Sequence, residues 1–340
     1  RGVIPEPATW REAICDLPSG SASPRLFAAT RYWARRQWPY FLRWMDAAGV
    51  TRQQLWASAP WIETRDKWHG HRLRLDLSDY FQRHAAFMGC YHEVHVLAVI
   101  RCALRPGEAV IDGGANTGLL SCHAAGWLGP EGRLDAFAPH SDLADQAEWQ
   151  FERNGLHQVI LHRVALGAEE GAGTLSQPDP GNCGSVTLFG SPHGIDYAMH
   201  EVGPTRTAAL DTVLPDAGDT RPLLIKLDIE GSEARAIRGA RKLIERRRPA
   251  ILAEINTEML DRAGATPGDL HALLADRGYS AFAFRRAWFG GFFRLSLYEL
   301  PAREVALERD VLWLTPDGPH WERFASRVRP GAAPRTPPAS

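Results

Sequence analysis

The sequence predicts an α/β fold, a doubly wound and mostly parallel seven-stranded sheet, preceded by a mainly helical extension. Two observations predict it. From residue 109 onward short apolar runs alternate with helical patterns, as in a parallel sheet covered on both faces. A glycine-containing loop also joins the first of these runs to the helix after it, where doubly wound folds place their ligands.

The elements follow in order. Residues 1–24 are rich in Pro, Gly and Ser and read as irregular. Residues 26–56 turn helical, with Pro39 as a break. This part is dense in tryptophan: Trp10, Trp33, Trp38, Trp44, Trp56, Trp61 and Trp68 precede the first strong motif. Arg31, Arg35 and Arg36 beside Trp33 and Trp38 fit a packed core with a solvated face, or a membrane-surface or nucleic-acid element. Residues 72–77 alternate polar and apolar, as a half-buried strand does, and residues 93–104 carry an apolar helical face stopped by Pro106-Gly107. Strands are then expected at 109–112, 133–137, 159–164, 223–227 and 250–253, with helices at 119–128, 143–151 and 234–244. Runs at 279–284 and 311–314 complete the sheet, whereas 177–206 shows no clear secondary structure. The expected domains are an aromatic-rich extension (1–70), the α/β domain (71–318) and a Pro-rich tail (319–340) unable to bury a core.

Composition narrows the function. A net charge of -1 and a pI near 7.0 give no field for a polyanion, so a nucleic-acid partner is not expected. The five cysteines form no C-x-x-C pair and suggest neither a disulfide framework nor a zinc knuckle. No apolar run reaches the roughly 20 residues that cross a bilayer. A cytoplasmic protein without membrane partners is expected.

The strongest chemical signal is Val110-Ile111-Asp112-Gly113-Gly114-Ala115-Asn116-Thr117-Gly118. An apolar strand ends in an acid, then a small-residue turn opens a helix. Gly114 and Gly118 admit close backbone approach. A pyrophosphate would be repelled by Asp112, which disfavours a nicotinamide dinucleotide; a ligand with a cationic amino acid end suits it better.

This segment resembles the D-x-G-A-N-x-G signature of the FkbM-type S-adenosylmethionine-dependent methyltransferases. Ile225-Lys226-Leu227-Asp228-Ile229-Glu230-Gly231-Ser232-Glu233 resembles that family's I-K-x-D-x-E-G-x-E segment. Ala209-Leu210-Asp211-Thr212-Val213-Leu214 is similar to its T-L-D motif, and Asn182-Cys183-Gly184-Ser185 to the loop before it. Gly89-Cys90-Tyr91-His92-Glu93 is similar to its G-x-Y-E segment, with His92 inserted or substituted. The resemblance implies a class I, Rossmann-like methyltransferase fold, S-adenosylmethionine as cofactor, and O-methylation of a small-molecule hydroxyl, on a sugar or secondary metabolite. It implies that Tyr91, Glu93, Asp112, Gly114, Asn116, Thr117 and Gly118 surround the cofactor. Ala138, Pro139 and His140 would approach its ribose, and Asp228 would border the methyl group.

One position departs from the family. Its second strand usually ends F-E-P, the acid accepting from both ribose hydroxyls; here the residues are Phe137-Ala138-Pro139. A hydrogen bond to a charged group contributes ~1.5–3 kcal/mol, or roughly ten- to hundredfold in affinity. Either His140, Asp142 or water replaces the acid, or the protein is a catalytically weak or inactive cofactor-binding scaffold.

Methylating an alcohol requires removal of its proton. Asp228 and Glu230 are the candidate catalytic residues; Glu233 reads equally as a charge favoured by a helix N-terminus. The Asp/Asn-Pro-Pro-aromatic turn of many amino methyltransferases is absent after residue 227. His69-Gly70-His71 and His92-Glu93-Val94-His95 carry incomplete ligand spacings, and no metal is predicted. The acceptor and the oligomeric state, a homodimer included, stay open.

Overall fold

Strand runs with apolar residues at every position need two apolar neighbours, and they form the centre of the molecule. In the computed structural model the described residues are 3–4, 56–57, 59, 61–177, 186–189, 199–214, 218–289 and 292–331. The first elements are β1 (Val3–Ile4), β2 (Trp61–Arg65), β3 (Arg72–Asp76), α1 (Tyr80–Met88) and α2 (Val94–Ala103). The first half of the main sheet follows: β4 (Ala109–Gly113), α3 (Leu119–Leu128), β5 (Arg133–Phe137), α4 (Ser141–Arg153) and β6 (Val159–His162). Then come β7 (Ala165–Leu166), β8 (Gly171–Gln177), β9 (His200–Ala208) and α5 (Leu210–Val213). The second half has β10 (Leu223–Leu227), α6 (Glu233–Gly239), α7 (Arg241–Arg247), β11 (Ala250–Glu254), α8 (Thr257–Arg262) and α9 (Pro267–Ala275). The chain finishes with β12 (Ser280–Phe289), β13 (Phe292–Leu300), a 3₁₀ turn (Ala302–Leu307), β14 (Asp310–Leu314) and α10 (Trp321–Ala325).

The main sheet has eight strands in the order β13-β12-β14-β11-β10-β4-β5-β6. From β11 to β6 all pairings are parallel, and β14 runs antiparallel between β11 and β12. The count expected was seven. The additional edge strand β13 returns against β12 from Phe292 to Leu300. Alternate residues feed the two faces: Val110, Leu134, Leu224 and Leu252 pack one core, Ile111, Ile225 and Ile251 the other.

Local signals account for most boundaries. Asp79 caps α1 by accepting from the Gln82 amide, and Gly89 ends it in the left-handed conformation. Thr266, Pro267 and Asp269 make a capping box at α9. The single helix expected at 234–244 is two helices. Gly239 faces the Gly167 carbonyl, which an added Cβ would approach to 2.2 Å. Asp211, from the T-L-D-like motif, then accepts from the Lys242 and Leu243 amides and restarts the helix as α7.

Other expectations shift. Residues 200–206, expected without regular structure, belong to β9, which pairs with β8 in a separate sheet of order β7-β9-β8. The expected boundary at 70/71 cuts a hairpin, because β2 pairs with β3. The expected tail also starts later, because α10 buries Phe324 completely and Val328 bridges to Leu297. Trp56 is fully buried, edge-on to Phe87 at 5.7 Å, with the Arg83 guanidinium 5.4 Å from its ring. Trp10, Trp33, Trp38, Trp44, Asn182, His193 and Tyr197 lie outside the described residues, as do the expected helix at 26–55 and the tail from 332. Among the described residues no helix is long and apolar enough to cross a membrane.

Candidate active site

Parallel pairing of β4 with β10 sets Lys226 opposite Asp112 and Leu227 opposite Gly113. Both signatures therefore end side by side, where the strand order reverses. The fully buried Asp112 carboxylate accepts from Ser121 Oγ at 2.6 Å and lies 3.3 Å from Lys226 Nζ. That ammonium also donates to the carbonyls of Gly113 (3.3 Å) and Gly114 (3.1 Å) and sits 3.4 Å from Asp228. Burial opposes the charge on Lys226, but Asp112 and Asp228 outweigh it and raise the ammonium's pKa.

The glycines serve protein contacts. Gly114 has φ +82°, and a Cβ there would lie 1.8 Å from the Asp228 carbonyl oxygen. Gly118 has φ +77°, and its Cβ would meet the Phe151 ring at 2.8 Å. Close approach of a ligand is thus not what requires glycine at these two positions. Gly114→Ala is expected to abolish saturable binding of S-adenosylhomocysteine and to lower the melting temperature; wild-type values for both would refute this interlock.

Above the loops opens a cavity of about 580 Å³. Of the predicted cofactor residues, Tyr91, Glu93, Gly114, Asn116 and Thr117 line it from one side, and Ala138, Pro139 and His140 from another. Asp228 and Glu230 line its floor. Asp112 and Gly118 do not reach it: Asp112 acts behind the wall, through Lys226. His140 Nδ1 is buried without a hydrogen-bond partner, whereas Asp142 is exposed and does not border the cavity.

Acidic groups crowd the floor. Burial works to raise the Asp228 carboxyl, but Lys226 and a hydrogen bond from Glu254 hold it below the usual range. Glu254, at the end of β11, is pushed up by burial and by Asp228, so this pair keeps its proton on Glu254. Glu230 rises to about 8 through burial and the charges of Asp228 and Glu233. Its backbone is left-handed, with φ +48°. Glu233 accepts from the amides of Ile229 (2.9 Å) and Gly231 (3.0 Å). Its carboxylate braces the turn that carries Glu230.

Arg309 closes the far side, 2.8 Å from Glu93 and 2.9 Å from Glu254. Tyr91 donates to Glu93 at 3.0 Å. His92 packs at a 35° tilt on Phe81 with ring centroids 4.5 Å apart, and burial drives its pKa to about 3. His95 instead pairs with Asp310 at 2.9 Å, so the segment from His92 to His95 does not converge on one point. Sequence reasoning missed Glu254 and Arg309. Glu254 had a signal, an acid ending a strand like Asp112 and Asp228; Arg309 had none.

Sheet order, the antiparallel strand between β11 and β12, and a cavity at the strand ends define a class I methyltransferase fold. The Methyltransferase FkbM domain matches residues 112–281, half of the chain. The chain belongs to this family, whose methyl donor is S-adenosylmethionine, and is a methyltransferase.

Among solved structures, an FkbM methyltransferase from Methylobacillus flagellatus KT is similar at 15% identity and a TM-score of 0.37. The match covers 69% of this chain and 55% of that one. A precorrin-6y C5,15-methyltransferase from Geobacter metallireducens GS-15 is similar at 15% identity and 0.34, covering 66% and 85%. The O-methyltransferase TomG from Streptomyces achromogenes is similar at 14% and 0.36, covering 65% and 77%. The family match, not these distant likenesses, carries the assignment. No curated protein matches the chain significantly.

Proposed function

We propose that the protein is a cytoplasmic O-methyltransferase acting on a hydroxyl of a small molecule, a sugar or secondary metabolite. The observation that carries this reading is the carboxyl group of Glu230, poised near neutrality on the cavity floor beside the ionised Asp228. An alcohol needs a proton acceptor whose pKa lies near the working pH, and an amine does not need one so strictly.

The donor set fits the cofactor. Among the described residues lining the cavity, Lys226 and Arg309 are the lysine and arginine that offset Glu93, Asp228, Glu230 and Glu254. A ligand bearing an ammonium and a sulfonium relieves that crowding. Leu120, Phe137, Leu143 and Val164 offer apolar wall for its base, and His140 Nδ1 stands free for a ribose hydroxyl where Ala138 offers nothing. S-adenosylmethionine, when bound, supplies a methyl group on sulfur. The chain's own residues do the rest: Lys226 fixes Asp228 and the glycine loop, Glu233 braces the turn, and Glu230 takes the hydroxyl proton.

A scaffold reading rests on the alanine at position 138, 2% exposed in the cavity wall. Calorimetric titration with S-adenosylhomocysteine decides between the two. The expected result is saturable wild-type binding, tightened about tenfold or more in Ala138→Glu by a charged hydrogen bond. Binding by the glutamate variant alone would favour the scaffold, and silence from both proteins would remove the cofactor assignment.

A further inference from the structure

Away from the cavity, the loop between β2 and β3 folds against α3 and gathers four groups that the methyl-transfer site does not use. Asp66 is the centre. Its Oδ1 accepts from the amides of Trp68 (2.7 Å) and His69 (2.8 Å), and its Oδ2 from that of His71 (2.6 Å). The carboxylate is thereby fixed in place, with no exposed side-chain surface. His69 Nδ1 lies 3.8 Å from Oδ1 and His71 Nδ1 3.7 Å from Oδ2. His123, on α3 and fully buried, directs its Nδ1 at Oδ1 from 3.8 Å. All three Nδ1 atoms are buried without a hydrogen-bond partner.

We propose that Asp66, His69 and His71 bind one divalent transition-metal ion of the zinc class, with His123 as an outer donor to the Asp66 carboxylate. Two imidazoles and a carboxylate are a borderline-soft N₂O set that suits such an ion and leaves one position for water. Bonds of ~2.1 Å in a tetrahedral ion place ligand atoms roughly 3.4 Å apart. The three ligand atoms lie within 4.8 Å of one another, and each histidine nitrogen within 3.8 Å of a carboxylate oxygen, so the side chains complete the shell by drawing in by up to about 1.4 Å on the widest edge.

Proton positions agree. The His71 ring bonds to the Cys122 backbone carbonyl, and Nδ1 is its unpartnered nitrogen, so Nε2 carries the proton and Nδ1 the lone pair. His123 Nε2 accepts from the Tyr91 amide at 3.2 Å, which leaves a proton on Nδ1 facing Asp66. Of the nearby cations, Lys67 lies over Trp68 at 5.0 Å and Arg101 over Trp127 at 5.9 Å.

The niche is shaped for its imidazole. Gly126 lies inside α3, and a Cβ there would meet His69 Cγ at 2.6 Å and Nδ1 at 2.7 Å. None of these residues lines the cavity. The ion would clip the 66–71 loop to the helix that follows the glycine loop.

The test uses the full chain without an affinity tag, loaded with Zn²⁺ and passed through a desalting column. About one equivalent is expected to remain, and Co²⁺ in its place is expected to give visible bands of imidazole ligation. His71→Ala and Gly126→Ala should each weaken Zn²⁺ binding at least about tenfold, the smaller of the losses that follow when a ligand's support is removed. Gly126→Ala replaces no ligand but crowds the His69 ring, and it improves helix propensity, so its melting curve is expected to stay cooperative. His157→Ala, on the exposed surface, should bind as wild type does. Substoichiometric zinc, unchanged affinity in both variants, or loss of the ion only in Glu254→Gln would each overturn the assignment.

Discussion

Lys226→Met is expected to lower folding stability by about 3–5 kcal/mol, the range for breaking a buried ion pair from one side. The ammonium is 4% exposed, and it is the cation placed against Asp112, which has no exposed surface. Methionine of similar length fills the space but leaves that carboxylate, still bonded by Ser121, without its counter-charge and the Gly113 and Gly114 carbonyls without the Lys226 donor. The measurement is a urea melt followed by fluorescence, with the shift read as a lower midpoint at unchanged slope. Adding Asp112→Asn should recover part of the loss, because the second substitution removes the stranded charge. A single variant within about 0.5 kcal/mol of wild type, the range of ordinary surface changes, would show that this ammonium does not hold the two loops together.

Glu230→Gln is expected to slow methyl transfer about 10²–10⁴-fold, the usual contribution of a positioned general base, while leaving S-adenosylhomocysteine binding and stability near wild type. Glutamine keeps the shape of the side chain and the left-handed backbone at this position. The pH profile gives a second readout. A base works when deprotonated, so kcat/KM for the wild type should climb with pH and level off near the Glu230 value of about 8. A cationic cofactor lowers that value, so kcat should level off at lower pH. The glutamine variant should lose this ascending limb. Retention of the limb would assign the titration to another group, with Glu254 the next to replace.

Much of the architecture could be read from the chain, because strands buried on both faces leave continuous apolar runs. The runs at 109–112, 133–137, 223–227 and 250–253 became central strands with ends moved by at most a residue. Edge elements were harder. β8 and β9 are largely half-buried or exposed and contain Gly171, Gly173, Gly203 and Pro204, so neither period nor propensity marks them. β13 shows itself only through its pairing with β12.

The site divides in the same way. Asp228 and Glu230 could be named because their motif puts them at a strand end. Which face of the wall the Asp112 carboxylate takes is not written in its motif. Lys226 decides that face, and its partner lies 114 positions earlier in the chain. Arg309 reaches Glu93 from the far end of the domain, a contact no local pattern encodes.

The pairing of Leu223 with Ala109 also has a consequence for synthesis. At translation rates of ~5–20 residues per second, β10 leaves the ribosome roughly 6–23 s after the strand it must join. Until then β4, β5 and β6 have only one another, and β4, an inner strand of the finished sheet, is an open edge of unpaired amides and carbonyls. The nascent half-domain is thus a species with an edge open to wrong pairing, and slowing elongation across 163–222 would lengthen its exposure. Yield in the cell should therefore respond to codon choice in that interval more than to codon choice after residue 254, where the central strands have already met.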